Sequence, residues 1–475
     1  MILQIVALAL PIAAAYGVLE RLSCFPRGRP GRFWMILSLS AGIGPGFASC
    51  FFFAWLALFG AANRWFFIAE FIVYGLCMAM AIARTRRSPT AIQDVQLTDR
   101  PRLKADRTVR GALTLFALLA AAGFWLVWRA HPHGDWDAWA IWNLRARFLF
   151  RGGEQWTDTF LPPLSWTHPD YPLLLPASVA RLWFWGGSET TVAAAMIAFV
   201  YSAATVGLLA SSVTRFGGLA QGCFAALALI GNEFFLTHAA ARYADVPLAF
   251  FILAAIVMLG TAVASIEHAA SALAVAGVAC GLAAWTKNEG LLVLICVLGG
   301  WGLVAARTRG VRAWGRGLAP LTVGLFVPLI IVAWFKWRYA PTNDLVAAAT
   351  SSDIRQRLLD GSRYLKVAGT FLYGLVGYGD GLVAALPLVA LVLGRRAQGA
   401  HRSVVALATT IVMLMACGYV LIYILSPHDL DWHLRTSLKR LILHLYPSML
   451  FAFFVFVDSP SAATPTAARG AATSG

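Results

Sequence analysis

Apolar runs of about 18 residues or more recur along this chain, from "ILQIVALALPIAAAYGVL" near the N-terminus to "SVVALATTIVMLMACGYVLIYIL" toward the other end, and each is long enough to cross a bilayer. Hydrocarbon offers backbone N–H and C=O groups no water, so a crossing segment must be a helix or a strand of a closed barrel. Barrel strands are shorter and alternate apolar with polar residues, whereas these runs are continuous. The expected fold is therefore an all-α polytopic membrane protein. Its spans fall at about thirteen places: 2–19, 34–60, 65–83, 111–129, 191–213, 219–237, 246–264, 270–286, 289–306, 318–337, 379–394, 403–425 and 443–458. The stretch "YLKVAGTFLYGLVGY" (364–378) reads as a further span, a re-entrant piece or an interfacial helix.

Short loops rich in Lys and Arg mark the cytoplasmic side of such a chain. "ERLSCFPRGRPGRF" carries four arginines, the 84–110 loop eight basic residues, "RTRGVRAWGRG" four and "RRAQGAHR" three; with thirteen spans, all four fall on one face. The net charge of +16 thus follows from membrane topology, and a nucleic-acid partner is not needed to explain it. Residues 2–19 lack the basic flank of a signal peptide and read as a retained span. The seven cysteines form no CxxC pair and lie at spans or in a cytoplasmic loop, so neither a disulfide framework nor a thiolate metal site is indicated. The Ala/Thr/Ser/Pro tail, 461–475, has no means of burying a core and is expected to be disordered.

The face opposite the basic loops carries the longer segments 130–190, 338–378 and 426–442, and polar capacity for chemistry gathers there. The first contains "HGDWDAWAIWNLRARFLF", where Trp139, Trp142 and Leu149 recur at helical spacing, as in a helix lying in the interface with its rings at headgroup depth. Asp135 and Asp137 precede it; either suits an N-cap or a chemical role. "THPDYP" offers His168, Asp170 and Tyr171, as a site or as a plain turn. At the next outer corner, "RYADVPLAF", Arg242, Tyr243 and Asp245 crowd a very short loop; Asp245 before a proline is also an ordinary helix start.

"AAWTKNEGLLVL" inserts Lys287 and Glu289 between two apolar runs with almost no loop. A tight turn uses Asn288 and Gly290 but has no need of an ion pair, and charges kept at membrane depth point to function. In "HDLDWHLRTSLKRLILHLYP", Leu434, Leu438, Leu441 and Leu445 form one helical stripe, while His433, Ser437, Arg440 and His444 form the opposite one. The polar stripe holds no acid, so Arg440 is expected to project into an anion-binding cavity, a phosphate being the natural guest; a solvated amphipathic helix is the alternative.

"WDAWAIWNLRARFL", "HPDYPLLLP", "RYADVPLAF", "TKNEGLLVL" and "DWHLRTSLKRLILHLYP", in this order and on one face, resemble the C-type integral-membrane glycosyltransferase superfamily, notably bacterial proteins similar to protein O-mannosyltransferases and the lipid A aminoarabinose transferase. The resemblance covers roughly 110–460 as a transferase core and leaves 1–109, with its three spans, as an addition. It implies inverting transfer of a sugar from a polyprenyl-phosphate carrier to an extracytoplasmic acceptor at a bacterial inner membrane. It also implies that Asp137 is the general base, with Asp135 a rival because the family form is Asp-Glu and this chain has Asp-Trp-Asp. Asp245 would assist the acceptor or, with Asp137, hold a divalent cation such as Mg2+ or Mn2+. His168, Lys287, Arg440 and His433 would meet carrier phosphate or sugar, with Asp170, Tyr171, Glu289 and Arg242 nearby. A transporter or flippase for lipid-linked sugars would share the anion site without a base, and a polysaccharide ligase usually places its long outer loop later in the chain.

Overall fold

The computed structural model describes residues 1–25, 28, 31–85, 102–343, 354–396 and 400–458. The 461–475 tail, most of the basic 84–110 loop and the 344–353 part of the third outer segment lie outside the described residues. Among the described residues the chain is helical and has no β-strand; one isolated bridge joins Arg395 and Val457. Eleven helices are long and apolar enough to cross a membrane, or up to thirteen when two bent pairs are each counted as one span. The chain is a membrane protein with an all-helical fold.

The helices are α1 (Ile2–Leu22), α2 (Arg32–Phe59), α3 (Arg64–Thr85), α4 (Arg102–Ala130), α5 (Asn143–Arg151), α6 (Leu174–Gly186), α7 (Thr191–Gly217), α8 (Leu219–Ile230), α9 (Glu233–Ala241), α10 (Asp245–Ala264), α11 (Ala269–Thr286), α12 (Glu289–Arg309) and α13 (Val311–Arg338). The short α14 (Ile354–Leu359) leads to α15 (Gly361–Gly377), α16 (Leu382–Leu393), α17 (Ala400–Leu425) and α18 (Leu430–Phe456). Helix α10 lies at the centre, buried from Asp245 to Val263. Its sequence is apolar all round, as a helix enclosed by others must be; α7, α11, α17 and α18 pack about it. Helices α11 and α13 cross closely through small residues: a Cβ on Gly324 would stand 1.8 Å from the Ala274 carbonyl oxygen, so only glycine permits the approach.

The first three helices belong to the same packed core. Tyr201 of α7 donates to the Gly42 carbonyl (3.1 Å), Trp285 of α11 donates to Ser49 Oγ (2.9 Å), and Arg181 of α6 pairs with Glu70 of α3 at 2.7 Å. Glu70 also accepts from Trp185 and Tyr74, both at hydrogen-bonding distance, so a buried acid in a span is satisfied on all sides.

Three sequence expectations need correction. The 219–237 span is broken: α8 and α9 meet at 65°, because Asn232 caps the new helix through its side chain, accepting from Phe235 N at 3.0 Å. The 379–394 span joins the 364–378 stretch as a second bent pair, α15 and α16, at 66°. There Gly379, Asp380 and Gly381 all have positive φ, which no α-helix passes through. The 426–442 segment is not separate, since α18 runs without interruption from Leu430 to Phe456, about 40 Å of helix at 1.5 Å per residue. Helix α6, inside the first outer segment, is almost wholly buried and is not among the expected spans.

Candidate functional site

Four chain segments meet at one end of the bundle: the start of α10, the α11–α12 turn, the upper half of α18 and the segment before α5. Asp245 is the first residue of α10, and its carboxylate makes no cap bond to its own helix. It is fully buried and faces α18 and the turn. Its Oδ1 accepts from Lys287 Nζ (3.1 Å) and meets His444 Nε2 (2.7 Å); its Oδ2 accepts from Arg440 Nε (3.0 Å) and Nη2 (2.9 Å). The Tyr419 hydroxyl lies 3.2 Å from His444 Nδ1. A neutral imidazole that donates from Nε2 to Asp245 and accepts from Tyr419 satisfies both contacts.

Arg440 is shared. Its Nη2 also donates to Asp137 Oδ2 at 2.6 Å, and its guanidinium lies 4.9 Å from the centre of the Tyr243 ring. Burial and the Asp137 carboxylate push the Tyr243 hydroxyl up to about 12, so that group remains a donor. Asp137 thus has one oxygen fixed by Arg440, while its Oδ1 has no partner among the described residues. The side chain keeps 13% of its surface exposed, against none for Asp245.

Lys287 ends α11 in an extended conformation, and Gly290 lets the chain turn back at once: a Cβ there would sit 1.9 Å from the Ala283 carbonyl oxygen. The ammonium also pairs with Glu289 Oε1 at 3.0 Å and stands 5.8 Å from the Tyr171 ring centre. Burial alone would depress Lys287, but Asp245 and Glu289 outweigh it and hold the group above its usual value. Glu289 Oε2 is buried with no hydrogen-bond partner among the described residues.

A second polar group adjoins the first. Asp170 Oδ2 accepts from Asn288 Nδ2 (2.6 Å) and Asn343 Nδ2 (2.7 Å), while Lys336 Nζ donates to the Asp170 carbonyl and to Asn288 Oδ1, both at 2.6 Å. Three rings stack nearly parallel beside it, Trp142 on Tyr171 (5.8 Å, 16°) and Tyr171 on His168 (5.1 Å, 15°). Arg145, wholly buried, donates to the carbonyls of Thr167, His168 and Tyr171 and fixes this turn. Burial lowers its guanidinium to about 10, with Asp170 acting in the opposite sense.

The structure brings together Asp137, Asp245, Lys287, Glu289 and Arg440, with Tyr171 and Asp170 alongside, and leaves other expected members out. Asp135 is exposed and accepts from the Trp136 backbone N (2.8 Å). His433 bonds Ser426 through Nδ1 (2.8 Å) and does not join the cluster. Arg242 is a clamp: its guanidinium donates to the His131, Pro132 and Ala240 carbonyls and ties the first outer segment to the α9–α10 corner. His168 is an exposed ring stacked on Tyr171, beside the charged cluster and outside it. Nor do the tryptophans form a row at headgroup depth, since Trp142 is buried and Trp139 exposed, on one wide π-helical turn (Ala138–Trp142). The polar stripe of α18 meets acids of other segments at Arg440 and His444, so Arg440 is ion-paired with Asp137 and Asp245 in place of the open anion-binding cavity expected of it. His444, Lys336, Asn343 and Arg145 are contributors the sequence reading had not placed in the site.

The divalent cation allowed by the resemblance does not fit here. The Arg440 guanidinium lies between Asp137 and Asp245, both Asp245 oxygens are engaged, and no group of three or more His, Cys, Asp or Glu among the described residues could hold a metal ion. No family model, curated protein or solved structure matches this chain.

Proposed function

We propose that this chain is a membrane glycosyltransferase that moves a sugar from a polyprenyl-phosphate carrier to an extracytoplasmic acceptor, with Asp137 as the general base. One observation carries the reading: of the two acids that share Arg440, Asp245 has no lone pair to spare, whereas Asp137 presents an unpartnered, partly exposed Oδ1. Asp245 is then a positioning residue that holds Arg440, Lys287 and His444. Asp137 is the group with a carboxylate oxygen open to accept a proton.

The acceptor oxygen bonds the anomeric carbon as its proton passes to Asp137 Oδ1. The bond from that carbon to the phosphate oxygen breaks, and its electron pair leaves on the carrier phosphate. Arg440 and Lys287 are the nearest cations for that growing charge. The exposed His168 ring and the Tyr171 ring it stacks on, with the amides of Asn288 and Asn343, suit the apolar face and hydroxyls of a sugar. The 110–460 region is the part that resembles such transferases, and a bacterial inner membrane is the setting this reading implies.

A transport site remains the second reading, favoured by the same self-paired charges: a buried cluster whose acids and cations already satisfy one another is also what an ion-coupled carrier would need. Sugar transfer by Asp135→Asn, Asp137→Asn and Asp245→Asn variants, compared at equal membrane expression, separates the two. Loss of transfer in Asp137→Asn with retention in Asp135→Asn supports the base; ligand movement that survives Asp137→Asn supports transport.

A further inference from the structure

At the far end of the bundle from Asp137, a groove of about 700 Å³ opens along α17 beneath arginines. Its distance from the cluster follows from the helix: Arg402 lies seventeen residues before Tyr419, the partner of His444, about 26 Å along the axis. The rim is built by the isolated bridge in which Arg396 N donates to the Phe456 carbonyl (2.9 Å) and Asp458 N to the Gly394 carbonyl (3.2 Å). Side chains of an extended pair alternate in direction. Arg396 turns to the end of α7 and donates to the Phe216 carbonyl (2.6 Å), with Asp458 at 3.7 Å. Arg395, one residue earlier, is exposed at the groove with Arg402, and neither is paired with a carboxylate among the described residues.

Below the two arginines the wall is mainly apolar, with Thr409 and Thr410 as its polar members. Val405, Ala406, Met413, Leu414 and Cys417 share one face of α17 at helical spacing, and Phe456 closes the other side. From Arg402 to Cys417 the groove runs about 22 Å, more than the roughly 15 Å depth of one leaflet, half the hydrocarbon core. A pair of unneutralised guanidinium groups above an apolar trough of leaflet length matches a phosphate-bearing headgroup with an acyl chain beneath it. We infer that this groove is a binding site for one anionic phospholipid, held by Arg395 and Arg402 at the headgroup and by the α17 face along a chain. The inference is independent of the transferase reading, because no residue of the Asp137 cluster takes part.

Native mass spectrometry of the full chain in detergent, titrated with dioleoyl-phosphatidylglycerol or dioleoyl-phosphatidylcholine, tests it. The anionic lipid is expected to bind in one-to-one ratio and more tightly than the zwitterionic one, and each of Arg395→Gln and Arg402→Gln is expected to weaken it about fivefold. Arg312→Gln, which removes a charge outside the groove, should change nothing. Ala406→Trp fills the trough while leaving both arginines, and should also abolish the one-to-one adduct, which keeps the test valid if an arginine variant folds poorly. Equal binding of the two lipids, or an adduct unchanged in Ala406→Trp, would overturn the site.

Discussion

Asp245 and Asp137 share a guanidinium yet should respond to substitution in opposite ways. Asp245→Asn removes the charge that compensates Lys287 and Arg440 inside the protein, and breaking such a buried arrangement costs roughly 3–5 kcal/mol. The partly exposed Asp137 leaves Arg440 its pairing with Asp245 when changed to Asn, so stability should fall by only about 1 kcal/mol, while turnover falls by about 10²–10⁴. Thermal unfolding of the two variants in detergent, beside their transfer rates, checks both halves. Equal destabilisation would mean that Asp137 is as structural as its neighbour. The exchange of roles was not legible in sequence: "DWDAW" and "RYADVP" offered two acids of the same kind, and their difference lies in Lys287 and His444, 42 and 199 residues away, the partners that Asp245 has besides the shared Arg440.

The α11–α12 turn is the element on which the cluster depends most. Its closeness was readable, because "TKNEG" leaves no room for a loop; the reason for glycine was not, since the Ala283 carbonyl oxygen 1.9 Å from a would-be Cβ is a property of packing. Gly290→Ala should therefore push the two helices apart and withdraw Lys287 from Asp245. The expected result is loss of transfer with a cost of about 1–3 kcal/mol in stability, measured by unfolding and activity together; a variant with normal transfer would show that Lys287 placement is not critical. Helix α18 carries the reverse lesson. Its leucine and polar stripes were plain from their spacing, and the leucines are buried as that spacing requires. The acids that meet Arg440 were invisible because a stripe records what one helix offers and not what faces it. The breaks at Asn232 and at Gly379–Gly381 were hidden for a related reason, as hydropathy averages over a bend.

For the whole molecule, the membrane character and nearly every span followed from the apolar runs, since hydrocarbon leaves a backbone few choices. The short α6 escaped because thirteen residues cannot cross a bilayer, although Arg181 and Glu70, two charges in apolar surroundings, pointed to a partner for each. The basic loops predict that 130–190 faces outward and 84–110 and 307–317 face the cytoplasm. In a background without reactive native cysteines, cysteine at Glu154 should label from outside intact cells and cysteine at Gln96 should not; strong labelling at Gln96 would invert the topology and place the Asp137 cluster on the cytoplasmic face.

The central claim is that Asp137 removes a proton during transfer from a polyprenyl-phosphate sugar, and a base-less variant should bind that donor without consuming it. Mass spectrometry of lipids that co-purify with Asp137→Asn and with the unaltered chain reads this directly. The account predicts an intact polyprenyl-phosphate sugar on Asp137→Asn and its depletion, with sugar-free carrier left behind, on the unaltered protein. Absence of any isoprenoid phosphate from both, or trapping of the donor by Asp135→Asn but not by Asp137→Asn, would contradict it.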